Sequence, residues 1–276
     1  MEINKGQFLG IIAALAVAGC VAGFLAGLLG VGGGIIFVPV LFFLLKSYIG
    51  MDPQLAITVA TATSLGCMIP TTLSSCISHY RRGNMDLQLL KRWLPILILG
   101  VISGTVVSAF YGGLWLSVLF GIIIITTSLN MLFRAKAPPL RDSLPGTAGQ
   151  SAMAMFVSFF SVMLGIGGGT LTVPLLTSCN FPARRAIGTA SAIGLIICLP
   201  GAVSTLIFSQ TPQIEHNLLF VGKISFMIVG CIVPFSALTA PVGVMINRRI
   251  DPVLLKRLFG IMMILTGLKM LHSAFF

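Results

Sequence analysis

Two copies of a glycine-rich motif are the residues of this chain best suited to bind a ligand. Residues 30–39 read Gly-Val-Gly-Gly-Gly-Ile-Ile-Phe-Val-Pro and residues 165–174 read Gly-Ile-Gly-Gly-Gly-Thr-Leu-Thr-Val-Pro, with six of ten positions identical. The apolar residues that follow predict a helix beginning at Gly33 or Gly34, and again at Gly168 or Gly169. The first N–H groups of a helix lack internal partners and carry partial positive charge, so both helix starts favour an anion.

We therefore predict that the two motifs form one anion site that needs no buried arginine or lysine. The predicted binding glycines are Gly30, Gly32, Gly33, Gly34, Gly165, Gly167, Gly168 and Gly169. Close helix packing is the alternative role for membrane glycines, and it suits isolated pairs such as Gly23 with Gly27 or Gly100 with Gly104. A nucleotide-binding loop is excluded, because no strand precedes the motif and no suitable acidic residue follows it.

Hydroxyl side chains in the third and eighth apolar segments, and directly after the second motif, add candidate donors to a bound oxyanion. They are Thr58, Thr61, Ser64, Thr170, Thr189 and Ser191. A membrane serine or threonine often bonds the backbone of its own helix instead, and that role stays open for each of them. Pro39, Pro70, Pro174 and Pro200 predict kinks or hinges, because proline cannot donate the helical hydrogen bond.

Some residue types are missing from the apolar segments. All six acidic residues lie in connections or near the termini, at positions 2, 52, 86, 142, 215 and 251, so no segment offers a carboxylate to a cation or a proton relay. The six cysteines stand singly without metal-ligand spacing, and no segment places a nucleophile beside a histidine. We predict no metal site, no cofactor and no enzymatic activity.

The elements that must position these residues are transmembrane helices. Hydrophobic residues make up 57% of the 276 positions and charged residues only 8%, too few to cover a water-facing surface. Long apolar runs indicate helices rather than the alternating strands of a membrane barrel. The net charge of +11 comes from Lys and Arg residues scattered at the ends of apolar runs. Such charges orient a chain in the bilayer, so we predict contact with lipid and no nucleic-acid partner.

The chain divides into two similar halves with five apolar segments in each. The predicted segments are 8–29, 33–45, 55–77, 94–110 and 116–133, followed by 151–164, 169–179, 186–208, 218–246 and 254–275. Residues 1–135 are assigned to the first transmembrane repeat, 136–149 to a cytoplasmic linker and 150–276 to the second repeat. An odd number of segments turns the copies upside down relative to each other. The predicted fold class is an all-α polytopic membrane protein of two inverted repeats, each with a glycine-hinged helical hairpin.

The distribution of basic residues predicts the orientation. If the linker and residues 80–92 are cytoplasmic, thirteen of the seventeen Lys and Arg residues fall inside, and the other four are Lys5, Lys46, Lys223 and Lys269. Both termini then lie on the outer side. Each hairpin must enter and leave on one face, which places its glycine turn near mid-membrane. His79, beside the basic 80–92 connection, is expected to be solvated, although the sequence does not fix whether it takes part in proton coupling.

The paired Gly-x-Gly-Gly-Gly-x-x-x-Val-Pro motifs, one opening each half of the chain, resemble those of the sulfite exporter TauE/SafE family of membrane permeases. The resemblance covers nearly the whole chain. It implies a transporter of the prokaryotic inner membrane that exports small sulfur-containing anions, such as sulfite or sulfonates like sulfoacetate. Only the anion preference also follows from the helix ends. A passive anion channel and an importer of related anions remain alternatives, and neither the coupling ion nor the oligomeric state is fixed by the sequence.

Overall fold

A computed structural model describes residues 5–110, 114–133, 141–208, 219–247 and 249–251, together with isolated positions between residues 253 and 271. Its helices are α1 (Lys5–Leu29), α2 (Gly34–Ser47), α3 (Pro53–Arg81), α4 (Leu87–Phe110), α5 (Leu114–Phe133), α6 (Thr147–Leu164), α7 (Gly169–Ser178), α8 (Ala183–Phe208) and α9 (Phe226–Asn247). A short antiparallel hairpin of β1 (Phe220–Val221) and β2 (Ile224–Ser225) precedes α9.

Within these described residues, six helices are long and apolar enough to cross a membrane, namely α1, α3, α4, α6, α8 and α9. Helices α2 and α7 are shorter, with 14 and 10 residues. At 1.5 Å per residue they cover about 21 and 15 Å, which is about half to two thirds of a hydrocarbon core of about 30 Å. The chain is therefore a helical, multi-pass membrane protein, as its composition predicts.

Helix α3 is largely buried and packs against α2, α8 and α9. It runs antiparallel to α8, because Leu65 lies beside Gly201 whereas Thr72, further along α3, contacts the earlier residue Cys198. Its polar side chains also face α9, where Thr71 Oγ1 lies 2.7 Å from a serine hydroxyl. The central position of α3 lets it contact elements from both halves of the chain.

Glycines allow two pairs of helices to pack closely. Gly23 and Gly27 of α1 lie directly on the backbone of α9, where an added Cβ would collide with carbonyl oxygens. Gly100 and Gly104 of α4 approach α6 in the same way. Small residues four positions apart permit this approach, so both pairs have the packing role predicted for them.

The predicted ninth segment, 218–246, is wrong at its start. Residues Phe220–Ser225 form the hairpin, and α9 begins only at Phe226. The chain can reverse there because Gly222 adopts a φ of +58°, which glycine tolerates. Helix α6 begins at Thr147, inside the predicted linker. Linker residues 134–140, most of the predicted tenth segment and the termini at 1–4 and 272–276 lie outside the described residues.

Candidate anion-binding site

Two glycine turns interrupt the helices at the motif positions. The first hinge, residues 30–33, separates α1 from α2, and the second hinge, residues 165–168, separates α6 from α7. Gly30, Gly32 and Gly33 have φ values of +69°, +76° and +86°, while Gly165 and Gly167 have +62° and +70°. Only glycine adopts this region readily, so the glycines are needed for the turns themselves.

Each hinge leads into a helix whose N-terminus has no side-chain cap. Gly33 is the N-cap of α2 and Gly168 is the N-cap of α7, and neither has a side chain to accept from the first amides. Their carbonyl oxygens accept the first intrahelical bonds, from Phe37 N and Thr172 N respectively. The helix starts therefore keep the positive dipole end and the amide donors that an anion requires.

The two hinges touch each other. A Cβ added at Gly34 would lie 2.5 Å from the carbonyl oxygen of Gly165, and one added at Gly169 would collide with the carbonyl of Gly30. Because Gly34 and Gly169 hold the same position in the two motifs, each helix start packs on the opposite turn. All hinge residues are buried. The structure thus brings the glycines of both motifs into one cluster.

The glycine cluster lies midway along α3 and α8. Within α3, the first hinge contacts Met68 and Thr72, and the second hinge contacts Thr61. The second hinge also contacts Ile193 and Ile197 of α8. These positions are far from the ends of helices that run from Pro53 to Arg81 and from Ala183 to Phe208. Non-helical backbone at such depth is tolerated only inside protein or beside a cavity, and here it is enclosed by protein.

Ser64 and Met68, one turn apart on α3, connect the hinges. Ser64 Oγ donates to the carbonyl oxygen of Gly165 over 2.8 Å. The Met68 thioether lies between the turns, since Cβ atoms added at Gly32 and Gly34 would be 2.6 Å from its Cε and 2.7 Å from its Sδ. A Cβ at Gly167 would overlap the same Cε. Nothing in the sequence marks Met68, because methionine in an apolar helix is ordinary core packing.

Three other predicted hydroxyl groups differ in their hydrogen-bond partners. Thr170, directly after the second hinge, is fully buried, and its Oγ1 has no hydrogen-bond partner among the described residues. Thr189 Oγ1 accepts from Asp86 N over 2.9 Å, and Ser191 Oγ donates to Gly188 O over 2.7 Å. Thr170 is therefore available to a ligand at the hinge, whereas Thr189 holds the connection before α4 and Ser191 bonds the backbone of its own helix.

The four predicted prolines do not form the backbone breaks. Pro39, Pro70, Pro174 and Pro200 lie inside α2, α3, α7 and α8, each of which continues as a helix on both sides. Because proline fixes φ near the helical value, a helix can pass through it at the loss of one hydrogen bond. The backbone turns therefore lie at the glycines and not at these prolines, while the predicted kinks at the prolines stay a prediction.

Thr58 and Thr61 line a separate cavity of about 30 Å³, here called the Lys223 cavity. Its other polar lining comes from Thr105, Ser108, Ser204, Thr205 and Lys223. Val162 and Met163, the residues shortly before the second hinge, form part of its wall, so the cavity reaches towards the glycine cluster. Thr58 donates to its own helix at Gln54 O, and Thr61 donates to Thr58 O.

Among the residues that the structure describes, Lys223 is the one charged residue that lines this cavity. It follows Gly222 in the two-residue loop between β1 and β2. Burial lowers the pKa of its ammonium group below the ordinary value of 10.5. A signal for this hairpin was present in residues 220–225, Phe-Val-Gly-Lys-Ile-Ser, where two short strand-like runs flank a glycine-containing loop.

His79 is fully buried, so its predicted solvation is wrong. Its Nε2–H donates to the carbonyl oxygen of Gly27 over 3.0 Å, because a carbonyl can only accept. Asn247 of α9 donates to the next carbonyl, that of Leu28, over 2.6 Å. The last carbonyls of a helix lack internal partners, and these two side chains satisfy them immediately before the first hinge.

Acidic side chains stay at the ends of the described helices. Asp52 caps the N-terminus of α3, and Asp86 forms an ion pair with Arg185 over 2.9 Å. Asp142 and Asp251 lie in connections. Among the described residues no group of three histidine, cysteine or acidic side chains could hold a metal ion. The glycine cluster therefore has no described carboxylate that would repel an anion.

Comparison with known proteins supplies the family. Residues 15–270 match the family model described as Sulfite exporter TauE/SafE, a range that includes both hinges and Lys223. The chain belongs to the TauE/SafE family. No solved structure matches it.

Relatives of this TauE/SafE protein are similar along nearly their whole length. It is 29% identical to the Probable membrane transporter protein YunE of Bacillus subtilis (strain 168), covering 95% of this chain and 98% of that one. It is 26% identical to a probable membrane transporter protein of Haemophilus influenzae, with 92% and 96% covered. A probable membrane transporter protein of Methanocaldococcus jannaschii is 25% identical, with 93% and 95% covered. The family and these names indicate a membrane transporter rather than an enzyme.

Proposed function

We propose that this TauE/SafE protein is a secondary transporter that exports small sulfur-containing anions, such as sulfite or organosulfonates like sulfoacetate, across a prokaryotic inner membrane. The observation that carries the proposal is the contact between the two hinges, which places the uncapped starts of α2 and α7 at one buried point. Two positive dipole ends at one point favour a single anion over a cation. The sulfur-containing substrate class is taken from the family description.

An inverted-repeat architecture is part of the proposal and is supported by the directions of the packed helices. Along α1, Gly23 lies at Ser236 and Gly27 lies at Ala240, so α1 and α9 run parallel. Helices α4 and α6 run parallel in the same way, with Gly104 at Phe159. Each pair joins the first segment of one half to the fourth segment of the other. Together with the antiparallel α3 and α8, this is the pattern expected of two copies with opposite orientation.

A second correspondence between the halves supports the same architecture. Thr63 of α3 accepts a hydrogen bond from Ser225 N, just before α9, over 3.2 Å. Thr189 of α8 accepts one from Asp86 N, just before α4, over 2.9 Å. In both cases a threonine of the third segment in one half anchors the start of the fourth segment in the other half.

The buried hinges fit a transport cycle better than an open pore. Since every hinge residue is buried, the proposed site is closed to both ends of the bundle in this conformation. Movement of the α1–α2 or α6–α7 hairpin against α3 and α8 would open it to one side at a time. We propose that the end with Arg81, Arg184 and Arg185 faces the cytoplasm and that the Lys223 cavity faces outward.

Counterflow of radiolabelled sulfite in proteoliposomes tests the proposed function. We expect external sulfite uptake to saturate and to be stimulated by unlabelled sulfite inside. Gly169→Ala should abolish this exchange, because its Cβ would enter the Gly30 carbonyl and force the hinges apart. Gly230→Ala in α9 is the matched control, since its Cβ meets nothing within 4 Å. Wild-type sulfite exchange by Gly169→Ala would contradict the hinges as the anion site. Anion conductance without stimulation by internal sulfite would identify a channel instead of a transporter.

A further inference from the structure

The Lys223 cavity has the features of a second anion-binding site, distinct from the hinges. We propose that it is the outer vestibule of the transporter, where the Lys223 ammonium and neighbouring hydroxyls bind a small oxyanion on its way between the hinges and the outer solution. The inference rests on the proposed function for the class of anion. It adds a charged residue to an anion pathway that the motifs describe only through backbone amides.

The hairpin holds Lys223 at the cavity. Gly222 lies so close to α8 that an added Cβ would be 2.8 Å from the carbonyl oxygen of Thr205. On the other side, Thr63 Oγ1 of α3 accepts from Ser225 N, and Ile224 is buried beside Gly66. The loop that carries Lys223 is thus packed between α3 and α8. A lysine fixed in this way loses little further backbone freedom when it binds a ligand.

The charge at Lys223 is not neutralised by a described carboxylate. The ion pair between two described residues, Arg185 and Asp86, joins the start of α8 to the connection before α4. Lys223 lies instead beside Thr205, near the other end of α8. Partial burial of an ammonium group is unfavourable, and the lowered pKa of Lys223 reflects this desolvation. An oxyanion in the cavity would supply a counter-charge and three or more acceptor oxygens.

Hydroxyl groups around the cavity can complete the coordination of such an anion. Thr58 and Thr61 face it from α3, and Ser204 and Thr205 face it from α8. Thr205 Oγ1 donates to the backbone of its own helix, at Ala202 O over 2.8 Å. Rotation about one side-chain bond moves such a hydroxyl from a helical carbonyl to a ligand, because threonine in helices populates two rotamers.

The cavity is placed to exchange anions with the hinge site. Val162 and Met163 in its wall are the third and second residues before Gly165, respectively. Leu65, also in the lining, directly follows Ser64, whose hydroxyl holds the Gly165 carbonyl. An anion at Lys223 would therefore stand behind the second hinge, on the side of the bundle away from the arginines.

Counterflow kinetics test the vestibule with the full-length protein. We expect Lys223→Gln to raise the apparent KM for sulfite added from the Lys223 side about tenfold, as removal of one partly buried charge would. Lys223→Arg should stay close to wild type, because guanidinium keeps the charge. Lys46→Gln is the matched control, since Lys46 also lies on the predicted outer side but outside the cavity lining. An unchanged KM in Lys223→Gln would overturn the proposal that the cavity is a vestibule. It would not contradict the proposed transport function.

Acylation of lysines by a membrane-impermeant reagent gives a readout that does not depend on flux. Methanesulfonate is the probe, because sulfite would itself consume the acylating reagent. We expect methanesulfonate to slow the modification of Lys223 and to leave that of Lys46 unchanged. Equal rates at Lys223 with and without methanesulfonate would overturn the inference. Protection of Lys223 in a protein that shows no sulfite counterflow would uphold the anion site while rejecting the proposed transport function.

Discussion

The hydroxyl of Ser64 in α3 donates a hydrogen bond of 2.8 Å to the carbonyl oxygen of Gly165 in the second hinge. Both residues are buried, and 101 positions separate them in the chain. We expect Ser64→Ala to lower the free energy of unfolding in detergent by about 1 to 3 kcal/mol, because the hinge carbonyl loses its donor. Thermal melting and sulfite counterflow measure the two consequences, loss of stability and loss of hinge geometry.

Ser103→Ala is the control for this prediction. Ser103 Oγ bonds only its own helix, at Leu99 O and Gly100 O, so its removal leaves the helix ladder intact. It should melt like wild type and exchange sulfite at the wild-type rate. Equal melting temperatures of the Ser64 and Ser103 variants would show that the hydrogen bond to the hinge contributes nothing to stability.

Met68→Ala should turn coupled exchange into a leak. The Met68 side chain fills the space between the two hinges, and its truncation leaves a cavity there that costs about 2 to 5 kcal/mol of stability. An anion could then pass with the hinges in one conformation, so we expect efflux without a counter-anion in proteoliposomes. Met68→Leu conserves side-chain volume, so it should keep strict exchange. Its free energy of unfolding should fall by less than about 1.5 kcal/mol. Strict exchange in Met68→Ala would show that methionine does not close the path.

His79→Ala should loosen the end of α1. The substitution leaves the buried Gly27 carbonyl without its imidazole donor, for which we expect a loss of about 1 to 3 kcal/mol in unfolding free energy. His79→Gln offers an amide N–H to the same oxygen and should recover part of that loss. Melting in detergent compares the three proteins. If the Gln and Ala variants melt alike and both below wild type, packing of the ring rather than the hydrogen bond is what matters.

Anion affinity at Lys223 should fall as the pH rises through the alkaline range. Burial lowers the pKa of Lys223 below 10.5, so the cation is lost at a lower pH than on an exposed lysine. The KM for sulfite from the Lys223 side should therefore rise at alkaline pH. Lys223→Arg stays charged throughout and should keep its KM there. A parallel rise in both proteins would assign the effect to another group.

The sequence by itself determined the membrane class, the helical character and the position of both hinges. These follow from local features: apolar runs of bilayer length need helices, and Gly30, Gly33 and Gly165 tolerate the positive φ that a turn inside such a run requires. The repeat of the motif also told us that the two turns are related. Even so, the apolar pattern predicts one continuous segment over 218–246 and therefore misses the hairpin that carries Lys223.

Only the tertiary structure decided which side chains meet the hinges. Ser64 reaches Gly165, Met68 lies between the two turns, and His79 is buried against Gly27 rather than solvated beside the basic connection. It also placed Lys223 in a cavity with Thr58, a residue more than 160 positions away. Contacts between distant residues depend on the angles at which helices cross and on their rotation about their own axes. The apolar pattern along one helix does not determine which helix packs against it.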